Sequence, residues 1–362
     1  MAGTLEMTPR QRILAVLNGD LPDRVPFTWK QPYRTRGRVE RMLRNAGMAM
    51  VWRCQVVTTV RPNVQIIRRE YHRHGATRTT VTYHTPMGDI SQTWQAGSGY
   101  GSSKALDYPI KEPGDYDVAR FIIADEQYTA NYDKFSRAEQ VIGEDGFVFG
   151  GWMGPSPIMT MMWNWLGPVQ FAHDAIDQPQ RFEALFNALL QSQQKQYEIA
   201  AESPAQVIHM EENMTADMIG LQRFERYCLP VYDQFASCLH ENGKLLAAHM
   251  DGKMKLLAPS LAKSGLDVIE GFCPAPDGDM ELAEARRVWA DKILWINFPS
   301  AVHLSSVADI QAMTRKLLGD AAPGDRFLLG VTEDIPEGVW DVSMPAIMEV
   351  MAEQSALPLS AG

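Results

Sequence analysis

The side chains best suited to chemistry stand at the end of an apolar run, Leu245 to Ala248, where His249 is followed two residues later by Asp251. An uninterrupted apolar run is typical of a parallel strand with both faces covered, and the first polar residues then mark its carboxyl end. Residues i and i+2 of an extended segment point to the same side. We therefore expect His249 and Asp251 to converge on one ion or one substrate group. The alternative is a strand-end histidine that is hydrogen-bonded to a neighbour.

Three other apolar segments also lead into ionisable or thiol side chains. These side chains are Glu211 and Glu212 after Val207–Met210, Glu270 and Cys273 after Val268–Ile269, and Glu333 after Leu328–Val331. Carboxyl ends of parallel strands meet at one rim, so the groups are expected to share a site. His209 lies inside its segment and is expected to be a core residue with a satisfied hydrogen bond.

Two kinds of chemistry suit this set of side chains. In the first, His249, Asp251, Glu333 and Cys273 bind a divalent metal with an open position, and the metal polarises a substrate oxygen. Nitrogen and oxygen ligands suit zinc, and also manganese or iron. In the second, the same groups act without a metal as general acids and bases. For Cys273, a small core residue is the competing interpretation.

The elements that must position these residues alternate regularly after Gly146. Helical stretches, which include Arg223–His240 and Lys253–Lys263, separate the strand candidates Phe147–Gly150, Gln206–Glu211, Leu245–His249, Asp267–Glu270, Ile293–Asn297 and Phe327–Val331. A strand at Val25 and one more from residues 51–94 bring the count to about eight. This alternation predicts an α/β fold, a (β/α)8 TIM barrel. An open doubly wound sheet is the alternative, which the absence of a GxGxxG motif disfavours.

Residues 51–96 have a periodicity of two, with turn signals at His74–Gly75 and Pro86–Gly88. They predict an amino-terminal β-hairpin insertion that decorates the barrel. Together with the barrel, this insertion is expected to form a single domain over residues 1–362.

The composition of the chain limits the classes of molecule that the protein is expected to bind. The formal net charge of −10 and the pI of about 5.3 disfavour a general affinity for nucleic acids or anionic lipids, so a small-molecule substrate or a protein partner is expected. The sequence shows neither a signal-peptide pattern nor an apolar run long enough to span a membrane, which predicts a cytoplasmic protein. The 4 cysteines form no CxxC pair.

The order of several motifs resembles the uroporphyrinogen decarboxylase superfamily. Arg12–Gly19 with Pro22–Pro26 is similar to its first helix and strand, and His249–Gly252 and Glu333–Pro336 are similar to its second half. The superfamily includes zinc-dependent methyltransferases that move methyl groups to or from a corrinoid protein. The resemblance implies a (β/α)8 barrel, and it makes zinc, a corrinoid partner and a homodimer reasonable expectations.

Two departures from the superfamily's sequence motifs reduce the range of reactions that we expect. True uroporphyrinogen decarboxylases carry Arg-Gln-Ala-Gly-Arg-Tyr after the first strand, whereas Trp29–Arg34 stands here. The zinc methyltransferases carry His-x-Cys and a later cysteine, and Asp251 and Glu333 fall at or near those cysteine positions. Carboxylates in place of thiolates leave a metal more Lewis acidic, which suits an ether or phenolic oxygen.

The leading hypothesis is therefore a metal-dependent methyltransferase. It would demethylate a small, methoxylated substrate and pass the methyl group to a corrinoid acceptor, with Glu211 or Glu212 completing the site. The first alternative is a metal-free decarboxylase or lyase in which Arg34 and Arg36 grip substrate carboxylates while His249 and Asp251 transfer protons. The second alternative is a barrel that binds without catalysis.

Overall fold

The computed structural model describes residues 6–30, 37–97, 102–151, 153–332, 335 and 338–360. Its strands are β1 (Phe27–Lys30), β2 (Ala49–Cys54), β3 (Val57–Val60), β4 (Gln65–Arg73), β5 (Ala76–Thr85), β6 (Gly88–Ala96), β7 (Ser103–Asp107), β8 (Gln127–Ala130), β9 (Gly146–Gly151), β10 (Val207–Met210), β11 (Leu245–His249), β12 (Val268–Phe272), β13 (Ile293–Asn297) and β14 (Phe327–Val331).

The helices alternate with the later strands. They are α1 (Pro9–Leu17), α2 (Arg38–Asn45), α3 (Asp115–Ala124), α4 (Tyr132–Ile142), α5 (Pro157–Thr160), α6 (Gly167–Asp177), α7 (Pro179–Ala201), α8 (Ala216–Ile219), α9 (Leu221–Arg223), α10 (Leu229–His240), α11 (Ala258–Leu261), α12 (Leu282–Val288), α13 (Val307–Ala321) and α14 (Trp340–Gln354). Two stretches are π-helical, Met161–Leu166 and Phe224–Cys228, and two are 3₁₀-helical, Gly143–Asp145 and Ser300–Leu304. Within the described ranges, no helix combines the length and the apolar character needed to cross a bilayer.

Eight of the described strands close into a parallel barrel in the order β1-β14-β13-β12-β11-β10-β9-β2. The predicted (β/α)8 TIM barrel is thereby confirmed. The strand expected near Val25 is β1, and the strand expected from the hairpin region is β2. Apart from β1 and β14, which close the barrel, each pair of neighbouring barrel strands is also consecutive along the chain among the barrel strands, as in other (β/α)8 barrels.

The chain forms two compact units. The first comprises Met1–Val56, Tyr132–Trp152 and Ser203–Gly362 and holds the barrel. The second comprises Val57–Asn131 and Met153–Glu202, and it holds the antiparallel sheet β4-β5-β6-β7 and the β3-β8 pair. The predicted turns join β4 to β5 and β5 to β6. The organisation as one domain stays a prediction.

The amino end of the barrel is closed by apolar packing. Ile13, Val16 and Leu17 of α1 belong to one buried cluster with residues near the amino ends of several barrel strands, including Phe147 and Val207. The α1 helix is well determined because Thr8 and Gln11 form a capping box ahead of Pro9. This cluster fills the amino end of the barrel, and the polar side chains of the strand ends lie at the opposite, carboxyl end.

One predicted helix is much shorter than expected and another contains a π-helical turn, and a proline accounts for each difference. Residues 253–263 are expected to be helical, yet only Ala258–Leu261 is, because Pro259 fits only the first turn of a helix. The helix predicted over residues 223–240 contains the π-turn Phe224–Cys228 just before Pro230. A proline cannot donate the backbone hydrogen bond that regular α-helix would need there.

Candidate functional site

One buried carboxylate organises the carboxyl end of the barrel. Glu270 in β12 is 1% exposed, and its Oε2 lies 3.0 Å from His209 Nε2 and 2.5 Å from His249 Nδ1. Lys30 Nζ lies 3.9 Å from its Oε1, and Arg53 Nη2 lies 3.7 Å from its Oε2. The four partners come from β1, β2, β10 and β11, so five barrel strands meet at this single side chain.

The electrostatics of the cluster fix its protonation. Burial on its own would raise the pKa of Glu270, but Lys30, His249 and His209 outweigh it and hold the pKa well below its usual range. Burial, assisted by the positive charges of Arg53 and Lys30, lowers the pKa of His209 to about 3 despite the neighbouring Glu270. At neutral pH, an ionised Glu270 therefore faces a neutral His209.

An ionised carboxylate only accepts hydrogen bonds, so both imidazoles must donate to Glu270. His209 then carries its proton on Nε2, and its buried Nδ1 has no hydrogen-bond partner among the described residues. His249 donates from Nδ1, so in its neutral form the lone pair is on Nε2. That Nε2 lies 3.8 Å from Asp251 Oδ2.

The structure thus brings together the predicted pair His249 and Asp251. The His249 side chain is 7% exposed and that of Asp251 is 34% exposed, so the pair lies between the buried cluster and solvent. A carboxylate behind one ring nitrogen is the arrangement by which proteins orient a histidine whose other nitrogen binds a metal. His249 and Glu270 are also direct register partners of β11 and β12.

A glycine provides the space that the His249 ring occupies. Gly271 has φ +74°, a conformation that favours glycine, and it lies at a register shift in the pairing of β12 with β13. A Cβ atom on Gly271 would lie 2.3 Å from both Cε1 and Nδ1 of His249. Any other residue here would push the imidazole away from Glu270.

The two predicted acids after β10 point to different partners. Glu211 forms an ion pair with Arg53. Glu212 is fully buried and accepts a hydrogen bond of 2.6 Å from the hydroxyl of Tyr232. Burial and the neighbouring Glu212 raise the pKa of Tyr232 well above its usual value, so the phenol stays protonated. Glu211 therefore belongs to the charged network around Glu270, whereas Glu212 is bound to Tyr232 of α10.

Cys273 is buried near the same end of the barrel. Its thiol lies 3.4 Å from the carbonyl oxygen of Gly271, and the amide of Asn297 lies 3.6 Å from its sulfur. The Asn297 side-chain oxygen accepts a 2.7 Å hydrogen bond from the backbone N–H of Thr332, which ties the ends of β12, β13 and β14 together. Three predicted site residues, Arg34, Arg36 and Glu333, lie outside the described residues, and their roles stay predictions.

The sequence interpretation placed Glu270 at the shared rim without a role of its own, it did not identify Lys30 or Arg53, and it treated His209 as a core residue. The sequence does contain a signal for Lys30 and Arg53. Lys30 and Arg53 are charged residues within strands whose other residues are largely buried, and such charges need buried partners. The identity of those partners depends on the barrel register, which the sequence alone does not show.

Three of these side chains could themselves hold a metal ion. His209, His249 and Glu270 each offer one ligand atom, and these atoms lie within 4.8 Å of one another. We call this group the inner triad, and we call His249 Nε2 with Asp251 the outer pair. An ion at the inner triad would displace the protons that the two histidines donate to Glu270.

Comparisons with known proteins identify the family. The uroporphyrinogen decarboxylase (URO-D) family profile matches residues 8–353. The chain belongs to the uroporphyrinogen decarboxylase family. This family membership agrees with the resemblance seen in the sequence motifs. Comparison with curated proteins found no significant match.

One solved structure is similar in fold to this chain. A methyltransferase from Methanosarcina mazei is similar over 96% of this uroporphyrinogen decarboxylase family chain and 99% of its own, with a TM-score of 0.58 and 14% identity. A lead(II) complex of Haloferax volcanii malate synthase aligns with 94% of this chain and 75% of its own, with a TM-score of 0.33 and 11% identity. The first likeness is one of fold.

The position of His249 can be tested through its glycine neighbour. We expect Gly271→Ala to abolish the Nδ1-protonated tautomer of His249, because the new methyl group overlaps the ring. Gly243→Ala is the matched control, since Gly243 has a similar φ of +66° with no atom within 4 Å of its Cβ position. Long-range ¹H–¹⁵N spectra of the histidine rings measure the tautomer. An unchanged His249 spectrum in Gly271→Ala would contradict the described packing.

Proposed function

We propose that this chain is a metal-dependent methyltransferase that demethylates a small, methoxylated substrate and passes the methyl group to a corrinoid acceptor. The observation that carries the proposal is the outer pair, in which Glu270 directs the lone pair of His249 Nε2 toward the side of Asp251. The likeness in fold to a methyltransferase supports it. Family membership supports an enzyme at the barrel's carboxyl end.

The donor set of the outer pair fits zinc. One imidazole nitrogen and one carboxylate oxygen are ordinary zinc ligands, and Glu333, predicted from the sequence, would supply a third. The partial exposure of Asp251 leaves access for a substrate oxygen at an open position. His249 is held by a carboxylate behind it, as metal-binding histidines usually are.

The inner triad is the less favourable place for the ion. Lys30 and Arg53 lie 3.9 Å and 3.7 Å from Glu270, so a divalent cation there would add to two buried positive charges. It would also compete with the hydrogen bonds that keep Glu270 compensated. Removing the partners of a buried charge is strongly unfavourable. We therefore assign the inner triad to the support of His249, and the outer pair to the metal.

In this proposal each residue has a defined task. His249 and Asp251 bind the ion, Glu270 fixes the ring and tautomer of His249, and Lys30 and Arg53 keep Glu270 ionised. Bound zinc would supply Lewis-acid polarisation of the substrate's methoxy oxygen. Carboxylate ligands favour this role because they donate less electron density than thiolates.

The overall reaction balances as a methyl transfer. The bond between the methyl carbon and the oxygen breaks with its electron pair left on oxygen, and that oxygen takes up a proton. The methyl carbon forms a bond to the cobalt of a reduced corrinoid, which contributes the electron pair. The substrate leaves as the corresponding hydroxyl compound.

Metal content tests the metal assignment. We expect near-stoichiometric zinc in protein purified without chelator, and loss of most of it in His249→Ala and Asp251→Asn, measured by inductively coupled plasma mass spectrometry. His240→Ala is the control, because His240 also pairs with a carboxylate, Asp267 at 2.8 Å, but its side chain is 44% exposed. The control should keep its zinc.

Protein that binds no metal even after reconstitution would contradict the proposal. It would favour the metal-free lyase, in which Arg34 and Arg36 bind substrate carboxylates while His249 and Asp251 transfer protons. Retention of zinc in Asp251→Asn, together with its loss in His249→Ala and in a His209→Asn variant, would instead favour the inner triad, because His249 belongs to both candidate sites.

Methyl transfer tests the reaction itself. We expect the zinc-loaded protein to convert cob(I)alamin to methylcobalamin with a panel of methoxylated aromatic compounds, and to release one equivalent of the hydroxyl product. His249→Ala should lower the rate about 100-fold or more, since the metal would be lost. His240→Ala should keep the rate of the unmodified protein. Absorption spectra and product chromatography give both quantities. Formation of the hydroxyl product without methylcobalamin would contradict a corrinoid acceptor.

A further inference from the structure

The second compact unit carries a long, exposed sheet edge. Strand β4 pairs with β5 along its whole length, from Gln65 opposite His84 to Arg73 opposite Ala76. It forms one edge of the sheet β4-β5-β6-β7, and every one of its nine residues except Ile67 is exposed. The other edge strand, β7, is shorter and has a register shift in its pairing with β6.

An edge strand of this kind offers backbone hydrogen-bonding groups to a further strand. Backbone N–H and C=O groups on the outer side of an edge strand can pair with another strand, and proteins commonly shorten, bend or interrupt edges to prevent it. Strand β4 contains no proline, and it is nine residues long. Its two exposed apolar side chains, Ile66 at 40% and Tyr71 at 38%, add surface that pairing would cover.

We propose that β4 pairs antiparallel with β4 of a second copy of this chain about a two-fold axis. The two sheets would then continue into one another across the axis. Because residues opposite each other in antiparallel strands lie on the same face, the two-fold axis must pass through or beside one residue of β4. This inference concerns the second unit and does not depend on the proposed function.

The charges of β4 select one register. With Arg69 on the axis, Gln65 lies opposite Arg73, so the full strand is paired. In that register Arg68 of each copy lies opposite Glu70 of the other copy, and Ile67 of each copy lies opposite Tyr71 of the other. Opposite charges and aromatic–aliphatic pairs both stabilise neighbouring strands. The one unfavourable contact is between the two exposed Arg69 side chains on the axis.

Neighbouring registers lose these contacts. A shift that places Arg68 on the axis sets Arg68 against itself and Ile66 against Glu70. A shift that places Glu70 on the axis sets Glu70 against itself and Arg68 against His72. Both shifts also leave strand ends unpaired. Charge complementarity and full-length pairing therefore favour the same arrangement.

A cysteine on the axis tests the register directly. Opposed residues in antiparallel strands have Cα atoms about 4.5–5.5 Å apart, which suits a disulfide. We expect Arg69→Cys to form a disulfide-linked dimer on mild oxidation of the full-length protein. Arg68→Cys, whose two copies lie diagonally about 7–8 Å apart or more, should stay unlinked. Non-reducing electrophoresis measures both, with the unmodified protein as the background for the native cysteines.

Charge exchange tests the same interface without a covalent bond. By sedimentation velocity over a range of concentrations, the unmodified protein should dimerise. Arg68→Glu and Glu70→Arg should each raise the dissociation constant about tenfold, and the double exchange should restore it. These exposed positions leave the fold intact. The proposal would be overturned if the protein remained monomeric at all concentrations, or if neither single charge reversal changed the dissociation constant of the dimer. It would also be overturned if Arg68→Cys formed the disulfide-linked dimer and Arg69→Cys did not.

Discussion

A carboxylate charge buried at the centre of the barrel mouth is the constraint on which the site depends. An ionised group that is 1% exposed is tolerable only when hydrogen bonds and opposite charges compensate it. Glu270 obtains both from Lys30, Arg53, His209 and His249. Because these partners come from four other strands, the compensation also fixes where those strands end relative to β12.

The same constraint gives His249 its direction. Since Glu270 stays ionised, it accepts a hydrogen bond from the Nδ1–H of His249, and the opposite ring nitrogen, Nε2, lies 3.8 Å from Asp251 Oδ2. The glycine at position 271 makes this possible, because its missing side chain is the space in which the ring lies. The buried charged residues around Glu270 and the more exposed pair His249 and Asp251 are therefore two layers of one arrangement. This layering places His249 Nε2 at the carboxyl end of the barrel, opposite the end that the apolar cluster around α1 fills.

Much of this fold follows from the sequence, because buried parallel strands are apolar runs that end abruptly. The predicted bounds of β11, β13 and β14 agree with the structure to the residue, and His249 with Asp251 is found where the end of β11 predicts it. The charged network could not be predicted in the same way. Lys30 and Glu270 are far apart in the chain and meet only through the closure of the barrel. The short helix α11 covers only part of the stretch predicted to be helical, because of one proline.

The most direct test of this account is the position of the metal itself. Crystals of zinc-loaded protein, measured with X-rays on both sides of the zinc absorption edge, locate the ion by its anomalous scattering. The account predicts a peak beside His249 Nε2 and Asp251, with the contacts from His209 and His249 to Glu270 intact. A peak between His209, His249 and Glu270 would contradict it, because Glu270 would then be a ligand and no longer the support of His249.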